Sequence, residues 1–131
     1  MEPHPDVLSR RSEAEGVLAA LGGLLEETVN FGTHLFTWCL SEAPATPQRT
    51  VVALLLHGFV ETLDGVSVLV RQACSEPAKI AMRSGLESAF GLLYILESDS
   101  GRRANCYRVG SIHRKITRLK SLDPSTSEGV R

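Results

Sequence analysis

This chain has little with which to staple, anchor or export itself. Its three cysteines, Cys39, Cys74 and Cys106, are odd in number and far apart. With no CxxC and no Cys/His spacing, they exclude a structural zinc site and a disulfide framework and predict reduced thiols in a cytoplasm. The longest apolar run, Val51 to Val60, is broken by His57 and falls well short of the roughly 20 residues that span a bilayer, so no membrane partner is expected. The opening residues, MEPHPDVLSRRSEAEG, lack the apolar segment that secretion requires. No Asn-Gly or Asp-Gly turn separates two alternating apolar runs, which removes the usual strand and hairpin signals. The motifs GxSxG, GxGxxG and GxxxxGK followed by Ser or Thr are missing too, so nucleophile-elbow, dinucleotide and phosphate-loop chemistry has no footing and no cofactor is expected. Charge of either sign is not in excess: the formal net charge is -1 and the basic residues form no long run, so no duplex-binding surface is advertised.

What is present is helical periodicity. At 131 residues, 43% hydrophobic and 22% charged, the chain has the size and composition of a single helical domain over 1–131. A tail at 1–6 leads to a first helix, for which Asp6 or Ser12 can act as cap. Val17, Leu18, Leu21, Leu24, Leu25, Thr28, Phe31, Leu35, Phe36 and Cys39 then recur at three- and four-residue steps, predicting one buried face to about Leu40. Gly22, Gly23 and Gly32 each cost about 1 kcal/mol against alanine, so a bend or break is expected near Gly22 or Gly32. The segment 41–47, with two prolines, is a loop. Thr46 and Pro47 open a second helix running to about Cys74.

The stretch from Ser75 to Glu97, SEPAKIAMRSGLESAFGLLYILE, predicts the central helix, capped by Ser75 and apolar almost all round. Within it Arg83 and Glu87 are four residues apart and share a face with Phe90 and Tyr94. In so apolar a body they are expected to be buried together, either as an ion pair that fixes register or as a polar site that holds an anion. On the second helix His57, Glu61, Asp64 and Arg71 fall on one line, and an antiparallel hairpin brings Asp64 level with Arg83 as its partner. A metal site from His57, Glu61, Asp64 and Glu87 is a further possibility, but the Glu-x-x-His repeat of di-iron bundles is missing and no metal is expected.

A fourth helix is predicted from Arg102 to about Leu122, capped by Asp99 or Ser100 and stopped by Asp123 and Pro124. Tyr107, Val109, Ile112, Ile116 and Leu119 mark its core face, with Arg102, Arg103, Arg114, Lys115, Arg118 and Lys120 on a solvated basic side. Ser125 to Glu128 has capping-box spacing, as if opening a fifth helix that is cut short. The fold expected is all-α, an antiparallel bundle of four main helices. Its greasy surface exceeds what a monomer hides, predicting a two-fold dimer through the second to fourth helices.

At DGVSVLVRQ (64–72), EPAK (76–79), RSGLES (83–88), GLLYILESDS (91–100), RR (102–103), HRKI (113–116) and LDPST (122–126) the sequence resembles a bacterial family of unknown function, DUF5677, over about residues 50–128. The resemblance implies an all-helical fold with Arg83, Glu87, Tyr107 and His113 at the family's polar positions, and it implies no activity. The resemblance also implies a longer chain, in keeping with the fifth helix expected after Ser125.

Two functions remain in view. In the first, the chain is a dimeric interaction module whose polar network of Arg83, Glu87, Asp64, Glu61, His57 and Tyr107 specifies register, while the basic side of the fourth helix meets RNA or an acidic protein. In the second, Arg108 and His113 resemble the Arg-x4-His motif of the HEPN ribonucleases, which are helical dimers. That resemblance implies a metal-independent endoribonuclease in which the Arg holds the scissile phosphate and the His moves protons. Residues five apart lie about 140° around a helix, so the two groups converge only if two subunits supply them.

Overall fold

In the computed structural model residues 11–41 and 46–122 are described, and they form four α-helices with no strand among them: α1 (Arg11–Ser41), α2 (Pro47–Arg71), α3 (Ser75–Glu97) and α4 (Ser100–Leu122). The tail at 1–6, the Asp6 cap, the Ser12 side chain, most of the 41–47 loop, the stop at Asp123 and Pro124 and the Ser125–Glu128 motif lie outside the described residues.

Local chemistry sets the helix ends. The Thr46 hydroxyl accepts the Arg49 N–H at 3.2 Å, and Pro47 follows at the first helical position, where no N–H is needed. α2 ends in a Schellman turn: the Cys74 N–H donates to the Leu69 carbonyl at 2.8 Å and the Ala73 N–H to that of Val70 at 2.9 Å. Ala73 takes φ 54°, the left-handed conformation that favours glycine. This tight turn makes Cys74 the cap residue of α3 and puts Ser75 already inside the helix, so the expected Ser75 cap is not made.

The helix around which the others gather is α2 and not, as the sequence suggested, α3. α1, α3 and α4 all pack on α2, whereas among the described residues α1 touches only α2. Eight residues of α2 are buried, against Ala78, Gly85 and Ile95 on α3 and Ala104 on α4. The reason is that the apolar residues of α3 encircle it, but the chain supplies neighbours on only part of that circumference. Val51, Leu55, Ile95 and Ala104 form the buried cluster where α2, α3 and α4 meet, with Val52 and Leu92 packed against it.

α1 is one unbroken helix through all of its glycines. Gly22 and Gly32 are buried because α2 comes close: a Cβ at Gly32 would lie 2.5 Å from Val60 Cγ2, and one at Gly22 would lie 2.6 Å from Arg71 Nε. The helix propensity lost there is exchanged for close packing. At the far end the Arg49 Nε donates to the Cys39 carbonyl at 2.6 Å, tying the start of α2 to the end of α1, where a cation also suits the helix dipole.

By length and composition α2 could cross a membrane, with mean hydropathy 1.6 over an 18-residue window, and 44% of that window is buried in the fold. Counting only uninterrupted apolar residues missed this, because the average tolerates interruptions such as His57.

Candidate functional site

The expected buried polar network is not assembled within the chain. Arg83 Nε lies 3.5 Å from Glu87 Oε1, but the two side chains are 84% and 70% exposed on the outer side of α3. Arg83 pairs along its own helix and not with Asp64, which lines a cleft on the other side of α2. Such a solvated i,i+4 pair is worth about 0.3–0.5 kcal/mol, far from the energy of a buried one. The error has a physical source: an apolar helix body buries its charges only if neighbours surround it, and α3 is open on this side.

His57, Glu61 and Asp64 do share a cleft, of about 290 Å³, with Val29, Thr33, Phe36 and Val60 between α1 and α2. His57 Nδ1 is 3.6 Å from Glu61 Oε2, and its ring centroid lies 5.2 Å from that of Phe36. Arg71, the fourth residue of that line, instead pairs with Glu26 of α1. No group of three His, Cys, Asp or Glu side chains able to hold a metal ion occurs among the described residues, so the set of His57, Glu61, Asp64 and Glu87 is not brought together.

Tyr107 and Arg108 line a second cleft, of about 440 Å³, with Val51, Leu54 and Leu55 of α2 and Ser111, Ile112 and Lys115 of α4. His113 is exposed and is not part of that lining, so one chain does not direct Arg108 and His113 at a common point.

A cation embedded in the fold is one the sequence placed on a solvated side. Arg103 is only 17% exposed; its Nη1 donates to the Tyr94 carbonyl at the end of α3 and to Glu97 Oε2 at 2.9 Å, and its guanidinium lies 4.2 Å from the centre of the Tyr94 ring. Beside it Arg102 Nε donates to Asp99 Oδ2 at 2.6 Å, a bond that holds the Asp99 carboxyl below its ordinary value and raises the Arg102 guanidinium. The available signal was their position one turn into α4, after an elbow that leaves carbonyls of α3 to be satisfied.

Large apolar side chains are exposed on α1, α3 and α4; on α3 these are Ile80, Leu86, Phe90, Leu93, Tyr94 and Leu96, 44–74% exposed. On α1, Val17, Leu24, Phe31 and Trp38 follow one another at seven-residue steps and are each 58–64% exposed, with Leu21 beside them. The single buried face expected for α1 is thus two faces, since Val29, Phe36 and the buried glycines turn to α2 while this set turns away. On α4, Val109, Ile112, Ile116, Leu119 and Leu122, most of them expected in the core, are 47–71% exposed. Ala104, near the start of α4, is its one buried residue among those described.

Residues 49–128 match the family model of a family of unknown function, DUF5677. The chain belongs to DUF5677. The DUF5677 match takes in α3, α4 and α2 from Arg49 onward and leaves α1 outside. No curated protein and no solved structure matches this DUF5677 chain.

Proposed function

We propose that this DUF5677 chain is a bacterial, cytoplasmic interaction module that works as a dimer of antiparallel helical bundles. Antiparallel order is supported by the pairing of residues: going up α1 from Gly22 to Gly32, the neighbour on α2 descends from Arg71 to Val60, and going up α3 from Gly85 to Gly91 it descends from Thr62 to Leu55. The observation that carries self-association is the pair of heptad-spaced apolar seams on α1 and α4, open along their length. Contiguous apolar surface of this kind marks interaction sites in soluble proteins. The module reading also accounts for α2, on which α1, α3 and α4 all pack.

Sedimentation equilibrium on the full chain at micromolar concentration tests this reading, with a mass of twice 14.2 kDa expected. A monomer, or recovery only in detergent-solubilised membranes, refutes it. The ribonuclease reading through Arg108 and His113 needs the two side chains from different copies. Its measure is cleavage of tRNA or mRNA that disappears in His113→Ala.

A further inference from the structure

We infer that the α4 seam of one copy is occupied by the α1 seam of a second copy, and the reverse, in a two-fold exchange of contacts; this rests on the self-association reading and specifies its interface. The two seams have matching apolar rhythm. On α1 the exposed apolar positions 17, 21, 24, 31 and 38 fall on steps of four, three and seven of one heptad series, and on α4 the positions 109, 112, 116 and 119 alternate steps of three and four. Such spacing lets side chains of one helix settle between those of another at a shallow crossing angle.

Charge then selects which seam meets which. α4 contains seven basic residues, Arg102, Arg103, Arg108, Arg114, Lys115, Arg118 and Lys120, and not one acidic residue. Two such helices laid side by side repel. Of its described side chains α1 carries Glu15, Glu26 and Glu27 and no Lys or Arg, Glu26 being paired with Arg71 of α2, so two copies of α1 repel as well, whereas α1 and α4 attract. Along the seams themselves Glu27 flanks Leu24 and Lys115 flanks Ile112. Within one chain α1 and α4 do not pack on each other, so the complementary faces are left for a second molecule.

Area favours the double contact. Allowing roughly 160–250 Å² for each fully exposed side chain from Val to Trp, each seam offers on the order of 550–600 Å² of apolar surface. One α1–α4 contact therefore covers about 1,100–1,200 Å² in all, at the lower edge for a stable complex, while two related by a two-fold axis cover about 2,200–2,400 Å².

The test is sedimentation velocity on the full chain and two double variants, Leu24→Glu with Phe31→Glu and Ile112→Glu with Ile116→Glu, each checked for helicity by circular dichroism. All four side chains are exposed in the single chain, so the fold is expected to survive. Each variant alone is expected to lose the dimer peak, and mixing the two at several-fold higher concentration is expected to restore a weaker dimer, because the mixed pair keeps one of its two α1–α4 contacts intact. If only the α1 variant loses the dimer, or only the α4 variant, the interface joins like helices and the inference fails while self-association stands. Two variants that both remain dimeric, or two monomers that do not recover on mixing, overturn it equally. A monomeric parent chain removes both the inference and the reading beneath it.

Discussion

Alanine at Gly32 and alanine at Gly23 are the same chemical change on the same helix, and the fold predicts opposite results. Replacing a mid-helix glycine by alanine recovers about 0.8–1 kcal/mol of helix propensity. At Gly23 nothing lies within 4 Å of the added Cβ, so that gain is expected in full. At Gly32 the Cβ would lie 2.5 Å from Val60 Cγ2 and 3.5 Å from its Cγ1. Val60 is buried and β-branched, with one favoured rotamer in a helix, so it cannot swing aside. Relief requires α1 and α2 to separate by about 1 Å to restore ordinary carbon contacts of 3.5–4.0 Å. Overpacking of this kind costs about 1–3 kcal/mol, so Gly32→Ala is expected to be neutral to about 2 kcal/mol destabilising. The two variants should therefore differ by about 1–3 kcal/mol in urea unfolding, measured at one fixed protein concentration because association adds to apparent stability. Adding Val60→Ala to Gly32→Ala should recover the propensity gain that the clash conceals. Equal stabilisation by both alanines would refute the close approach of α1 and α2.

Three further outcomes are expected. Ala73→Gly should stabilise by about 1 kcal/mol, because Ala73 holds φ 54° at the Schellman turn, and a fall in melting temperature contradicts that geometry. Arg103→Met keeps the apolar stem but removes the bond to the Tyr94 carbonyl, and should cost about 1.5–3 kcal/mol in urea unfolding, whereas Glu97→Gln should be near neutral because Glu97 is well exposed. Asp99 is held below its ordinary 3.8 by the Arg102 bond. A lowered folded value contributes stability above the unfolded value and loses it as pH falls through the folded one. Asp99→Asn should therefore flatten the acid limb below about pH 4, as followed by circular dichroism, and an unchanged limb counts against the bond.

The elements were legible because their signals are local. Thr46 followed by Pro47, the prolines of the preceding loop and the long apolar periodicities place four helices close to where they lie, with α3 agreeing at both ends. The coverage of those helices was not legible, because it depends on neighbours. α3 looks more thoroughly apolar than α2, yet α2 is the one packed on by three helices, and Arg83 and Glu87 end in solvent as a consequence. On α1 the periodic set mixed two faces whose separation appears only when the seven-residue series Val17, Leu24, Phe31, Trp38 is read apart from the residues that meet α2. Arg103 escaped notice because an arginine on a helix is usually solvated, and its partners are carbonyl, ring and carboxylate groups six to nine residues back across an elbow.

The exchange of seams is tested most directly by coupling carboxylates to lysines with a carbodiimide in an equal mixture of ordinary and ¹⁵N-labelled chains, followed by mass spectrometry of the peptides. Lys115 on α4 and Glu27 on α1 are the reporting groups. Cross-linked α1–α4 peptides that join a light segment to a heavy one are expected. Cross-links confined to chains of one isotope, or none between α1 and α4, contradict the account.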